Sequence, residues 1–208
     1  MKKKFAFFDF DRTLINRDSI FILWQRTLLD HPQARREFFR HFFPHLRRSL
    51  KAPNPSLAFK NQVLSLLNYY EEEDLRAFIL EELLPTHAFK EGVEEVHRLK
   101  EAGYHLVLAS ASVEDYLVYV KEALPFDQVL GTRTRAGQVL EKNNRKEEKV
   151  RRIQDYLDQE GLEIDYEASR AYSDDYVADG PMLGLVKNRF IINRKLAPKG
   201  CHILHWSL

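Results

Sequence analysis

The chain has 208 residues, 44% of them apolar and 30% charged, which excludes a disordered polymer and provides for one medium domain or a core with a modest insertion. Thirty-two Lys+Arg nearly cancel 31 Asp+Glu, so no global basic excess points to nucleic acid. A single cysteine excludes a disulfide framework and a zinc site built from four cysteines, and fits a reducing compartment.

In chain order, Met1 and three lysines precede an apolar run over residues 5–10 that ends in carboxylates. The run is too short for a signal peptide, and its pattern is that of a buried parallel strand reaching its carboxyl end. Residues 19–85 read as helical, broken by Pro32, Pro44, Pro53 and Pro55 and closed by Pro85. A helix over Phe89 to Ala102 has apolar residues at 89, 93, 96 and 99 and stops at Gly103, a C-cap signal. A second strand over 104–109 runs into Ser110-Ala111-Ser112, and Ser110 or, better placed, Ser112 would cap a following helix near Val113. A helix over Glu147 to Gln159 stops before Gly161; a strand over 168–172 leads into Ser173-Asp174-Asp175; Phe190 to Ile192 and Cys201 to Trp206 complete the strand candidates. Alternation of this kind predicts an α/β fold, a parallel sheet covered on both faces, with functional residues at the carboxyl ends of its strands. No run approaches the ~18 apolar residues of a membrane span, and a cytoplasmic location is expected.

Asp9-Phe10-Asp11 carries the most chemistry. Two carboxylates one residue apart at the end of an apolar strand repel each other unless a cation or proton compensates them. In an extended strand they project to one side and offer hard oxygen ligands suited to Mg²⁺.

Asp9-x-Asp11-x-Thr13 resembles the first motif of the haloacid-dehalogenase-like hydrolases, Ser110 the second, Lys149 in Lys-Glu-Glu-Lys-Val the third, and Tyr172 to Leu183 the acidic fourth. The order and the helical insertion after the first motif are similar to the phosphoserine-phosphatase-like branch, subfamily IB. The resemblance implies a Rossmann-like three-layer αβα core, 1–18 and 86–208, with an inserted all-helical C1-type cap, 19–85. It also implies a Mg²⁺-dependent phosphomonoesterase that works through an aspartyl-phosphate. Asp9 is the candidate nucleophile and Asp11 the candidate general acid and then base. Ser110 would donate to a phosphoryl oxygen, and a lysine about 4 Å from the phosphoryl group would contribute about 4 kcal/mol at an effective dielectric near 20. That lysine is Lys149 or, one turn earlier, Lys146. The metal ligands are Asp9, Asp11 through its carbonyl, and Asp174 or Asp175, with Asp179 and Thr13 in support. Arg12 stands where the family more often has a small residue, and either lies at the site entrance or points to solvent. Asp18 stands where the family often carries an acid that contacts substrate.

Charge is unevenly spread: residues 21–60 hold eight Lys/Arg against two Asp/Glu, and residues 71–101 hold ten Asp/Glu against four Lys/Arg. Between Gln33 and Lys51 an apolar stripe (39, 43, 46, 50) accompanies a basic one (36, 40, 47, 51), with Pro44 breaking the helix. Cap packing explains the stripe most simply. A surface contact with anionic lipid, and a lipid phosphate as substrate, is the alternative. No binding motif supports nucleic acid. Neither His41 and His45 nor Cys201, His202 and His205 form a convincing zinc set. A small phosphorylated metabolite such as phosphoserine is the first substrate expectation; the alternative from another class is a catalytically silent binding module.

Overall fold

The structure is a computed structural model that describes residues 2–37, 40, 60, 61 and 63–208. Its main sheet has six strands: β1 (Phe5–Phe8), β2 (His105–Val113), β3 (Gln128–Thr132), β4 (Arg170–Ser173), β5 (Asn188–Ile192) and β6 (His202–Leu204). All pair in parallel, in the order β6-β5-β4-β1-β2-β3.

Strand period two builds the layers. Ala6 and Phe8 of β1 join Leu106 and Leu108 on one face, where Val96 and Leu99 of helix α2 (Lys90–Glu101) cover them. Phe5 and Phe7 join Val107 and Ala109 on the other, under Ile153 and Leu157 of α3 (Glu147–Glu160) and Met182 and Leu183 of α4 (Tyr176–Leu183). Each fully buried Phe contributes about 1.5–3 kcal/mol of transfer free energy. The chain runs outward from β1 through β2 to β3, then returns to the other side of β1 as β4. The carboxyl end of β1 is therefore the topological switch point, where α/β sheets place their ligands.

The strand expected over 5–10 stops at Phe8. Asp9 N–H still donates to the Tyr172 carbonyl at 3.0 Å, and then the Phe10 carbonyl accepts from the N–H groups of Thr13, Leu14 and Ile15. Arg12 turns the chain at φ 58°. The extended geometry expected to align residues 9 and 11 is thus absent, and a tight turn presents them instead.

The strand expected over 104–109 runs on to Val113. Its pairing with β3 jumps from Ala109↔Leu130 to Val113↔Thr132, so Ser110 to Ser112 form a bulge in the sheet edge. Gly131 is required opposite it: a Cβ there would sit 2.9 Å from both the Ser112 carbonyl and the Glu114 N. Neither serine caps the helix that follows. Val113 is the N-cap of the helix Glu114–Leu117 and no side chain caps it, because the Ser112 hydroxyl is committed elsewhere.

Sequence periodicity missed β3, whose Gln-Val-Leu-Gly-Thr is short and interrupted by glycine, and the hairpin Thr134–Arg135 with Gln138–Val139. That hairpin turns at Ala136 (φ 50°) and Gly137 (φ 69°), the type I′ geometry. Gly137 lies against the main chain of Leu64 and Ser65.

The described part of 19–85 is helical: α1 (Ser19–Asp30), residues 32–37, a 3₁₀ turn at Ser65–Tyr69, Glu72–Ala77, a π-helical Phe78–Leu83 and Leu84–His87. Ile22, Leu64, Leu67, Leu75 and Phe78 share a single apolar cluster with β1 and β2. Most of the stripe between Gln33 and Lys51, with His41 and His45, lies outside the described residues. Among the described residues no helix is long and apolar enough to cross a membrane.

Candidate active site

Asp9, the first residue past β1, is buried, and each of its carboxylate oxygens has a partner. Oδ1 accepts from Lys149 Nζ at 2.9 Å and Oδ2 from Thr13 Oγ1 at 3.1 Å. Lys149 lies in the first turn of α3, only 1% exposed, and pairs also with Asp179 Oδ1 at 2.5 Å. Asp179, on α4, accepts from Ser173 Oγ at 2.7 Å through Oδ2. Burial raises the Asp9 carboxyl to about 8; Lys149 opposes this while Asp179 and Asp11 reinforce it. Burial works against the Lys149 ammonium, but Asp9 and Asp179 overcome it and raise its pKa. Lys146 is exposed and its φ of 56° turns the chain into α3. Of the two lysines, Lys149 is the one that reaches the carboxylates.

Asp174 follows β4, and its N–H donates to Thr13 Oγ1 at 3.0 Å. Thr13 thereby joins the ends of β1 and β4. Arg194, two residues past β5, donates Nε–H to the Asp174 carbonyl at 2.7 Å and an NH2 proton to Oδ2 at 2.8 Å. Burial raises Asp174 to about 6, against the pull of Arg194. Its Oδ1 has no hydrogen-bond partner among the described residues. Asp175 is otherwise engaged: its Oδ1 accepts from the N–H groups of Val177 and Ala178 at 2.9 and 3.2 Å and caps α4.

Asp11 is held at both oxygens, Oδ1 by the Ser19 N–H at 2.8 Å and Oδ2 by the Ser112 hydroxyl at 2.5 Å. Burial raises its pKa and these hydrogen bonds lower it, with a net rise. Arg12 does not point freely to solvent. Its guanidinium grips Asp18 Oδ2 at 2.6 and 3.0 Å, so the two expected entrance residues neutralise each other.

Ser110 is buried, and its hydroxyl oxygen accepts from Ser112 N–H at 3.0 Å, leaving its proton for a ligand. The bulge around it is held by side chains. Asn144 Nδ2 donates to the carbonyls of Ser110 and Leu130 at 2.9 and 2.7 Å, and Lys60 Nζ to the carbonyl of Ala111 at 2.6 Å.

Asp9, Asp11, Ser110, Lys149, Asp174 and Asp179 line one cavity of about 270 Å³. A neighbouring cavity of about 420 Å³ shares Arg12, Asp18, Asp174 and Arg194 with it. The donor set suits Mg²⁺: hard oxygens, buried carboxylates with raised pKa values, and an open oxygen on Asp174. Among the described residues no three carboxylate, imidazole or thiolate side chains are gathered tightly enough to hold a metal alone. An ion there would have to draw on one or two carboxylates, with water and phosphate completing its shell.

Sequence reasoning missed Ser19, Ser112 as a partner of Asp11, Lys60, Asn144 and Arg194. Arg194 was findable, since it follows a strand whose carboxyl end borders the site. Lys60 carried no signal, because nothing in its neighbours links residue 60 to residue 111.

Aspartates, a serine and a buried lysine thus gather at the switch point of a parallel sheet, where such folds place their ligands. The haloacid dehalogenase-like hydrolase family model matches residues 6–184, and the chain belongs to that family. Its fold is similar to a Bordetella pertussis Tohama I protein of unknown function (21% identity, 93% of this chain and 91% of that one, TM-score 0.75). It is also similar to a phosphoserine phosphatase in apo form (21%, 93% and 88%, TM-score 0.61). A third similar fold is a phosphoserine phosphohydrolase-like protein from Francisella tularensis (18%, 91% and 87%, TM-score 0.57). No curated protein matches the sequence.

Proposed function

We propose that this chain is a Mg²⁺-dependent phosphomonoesterase that works through an aspartyl-phosphate on Asp9. The observation that carries this reading is the triple Lys149–Asp9–Asp11: a buried carboxylate at the switch point, a fixed ammonium at 2.9 Å and a second, independently tethered carboxyl in the same cavity. A carboxylate oxygen of Asp9 attacks phosphorus in line, the ester P–O bond breaks, and Asp11 gives its proton to the leaving alkoxide, releasing the alcohol. Water then attacks the phosphorus, its proton passes to Asp11, the P–O bond to Asp9 breaks and inorganic phosphate leaves. Ser110 donates to a phosphoryl oxygen, and Lys149 offsets charge on Asp9 and the phosphoryl group. Asp9, Asp174 and the Asp11 carbonyl would hold Mg²⁺, whose chemistry there is to offset the repulsion between two anions. Asp179 keeps Lys149 in place and Arg194 keeps Asp174 in place.

A cavity of about 270 Å³ beside one of about 420 Å³ supports a small phosphate ester as substrate, phosphoserine among the candidates. The test is release of p-nitrophenol and phosphate with and without Mg²⁺. Activity should require the metal and fall by at least ~10⁴-fold in Asp9→Asn, and acid quench should trap phosphate on the wild-type protein only. Undiminished turnover in Asp9→Asn would overturn the assignment.

A further inference from the structure

We propose that a buried chain of three hydroxyls, Tyr116, Ser19 and Ser112, orients the carboxyl group of Asp11 for proton delivery to the leaving alkoxide. This rests on the reading of Asp11 as general acid. The Ser112 hydroxyl lies 2.5 Å from Asp11 Oδ2, Ser19 Oγ 2.9 Å from Ser112 Oγ, and Tyr116 OH 2.8 Å from Ser19 Oγ. Ser19 and Tyr116 are wholly buried and Ser112 is 4% exposed.

The direction of the chain follows from counting protons. Each carboxyl oxygen keeps a lone pair to accept with, so Oδ2 takes the Ser112 proton whether or not Asp11 carries the proton it will transfer, and each hydroxyl has one proton to give. Ser112 gives its proton to Asp11 and so accepts from Ser19; Ser19 in turn accepts from Tyr116. The Ser19 N–H holds the other oxygen, Oδ1, at 2.8 Å. Pinned at both oxygens, the carboxyl cannot swing about its own axis, and the proton it transfers sits on the side open to the cavity that Asp11 lines. The three hydroxyls come from three places: the first turn of α1, the bulge in β2 and the helix Glu114–Leu117. Tyr116 is itself fixed edge-on to Phe78, ring centroids 5.8 Å apart. Tyr116, Ser19 and Ser112 are positioning residues, acting through Asp11.

Proton delivery matters for an alkoxide and little for p-nitrophenolate, which leaves unprotonated. The value of kcat/KM covers the steps up to the aspartyl-phosphate, where Asp11 acts as acid. The experiment compares kcat/KM for p-nitrophenyl phosphate and for the fastest alkyl phosphate in a panel that includes phosphoserine and glycerol phosphate. Ser112→Ala and Tyr116→Phe should lower the alkyl value about 10–100-fold and the aryl value several-fold less, with Ser112→Thr restoring the ratio. Tyr116→Phe removes one oxygen from an otherwise retained ring, and melting temperatures confirm folding. In an Asp11→Asn background Tyr116→Phe should add no further loss. Equal losses on both substrates, no loss on either, or an additive loss in the Asp11→Asn background overturn the proposal. A wild type inactive on both substrates with Mg²⁺ overturns the underlying phosphatase reading, and this assignment with it.

Discussion

Lys149 is the side chain on which the site's electrostatics turn. It places one buried ammonium between two buried carboxylates, Asp9 at 2.9 Å and Asp179 at 2.5 Å. Such a triad adds little net stability against an apolar core, but removing the ammonium leaves buried oxygens of Asp9 and Asp179 without their partner. Lys149→Met should therefore abolish turnover and destabilise the fold by about 3–5 kcal/mol. Adding Asp179→Asn should recover part of that stability and none of the activity. Urea titration of both variants checks this; an unchanged midpoint in Lys149→Met would show that the ammonium is not committed to the carboxylates. At this scale the sequence was highly legible for aspartates, because charge at the end of an apolar strand is conspicuous. It was poorly legible for serines. Ser112 read as a helix cap, yet its hydroxyl serves Asp11, since a short polar side chain looks the same in either role until the bulge is built.

Among elements, the bulge in β2 is the one that turns a strand into a site. It holds Ser110 and Ser112, and the carbonyls of Ser110 and Ala111 are satisfied by side chains from elsewhere: Asn144, Thr132 and Lys60. Lys60 comes from the helical block and meets three neutral acceptors, the Ala111 carbonyl and Asn143 Oδ1 at 2.6 Å and Thr132 Oγ1 at 3.4 Å. Burial lowers it from 10.5 to about 8; Asp11 opposes this shift and Arg145 adds to it. Below that value the folded and unfolded chains both hold the proton. Above it the folded chain sheds the proton first, so the unfolded chain binds more protons and stability rises with pH until about 10.5. Lys60→Met should lack this rise. The difference in urea midpoint between the wild type and Lys60→Met should move toward the wild type from about pH 7 to about pH 10; a constant difference would mean that the ammonium is solvated. The bulge was invisible in sequence because Ala-Ser-Ala-Ser has no pattern of its own. Gly131 on the neighbouring strand makes room for it.

Across the whole molecule, the near-neutral charge count conceals carboxylates gathered at one point of the sheet. Asp174 is raised to about 6 and Asp9 to about 8, both first by burial. Each raised acid favours the folded state while protonated, a contribution present below the ordinary carboxylate pKa and lost as pH rises through those two values. Mg²⁺ binding needs the same groups ionised and works in the opposite direction. The Mg²⁺-induced rise in melting temperature should be nearly absent at about pH 5 and grow through about pH 6 to 8. Asp174→Asn should remove most of it. A rise independent of pH would exclude Asp9 and Asp174 as the ligands.

The sequence by itself determined the layers and the placing of carboxylates at the strand ends. Apolar runs that end in carboxylates, alternating with helices that stop at Gly103 and Gly161, dictate a parallel sheet with aspartates at its carboxyl ends. That information is local, held in period, capping and charge. The tertiary structure alone decided which lysine reaches Asp9, which of Asp174 and Asp175 keeps an open oxygen, and which serine serves Asp11. Two of those choices join residues about 100 positions or more apart, Asp9 with Lys149 and Asp11 with Ser112. Only packing of both helical layers against one sheet brings such groups within hydrogen-bonding distance.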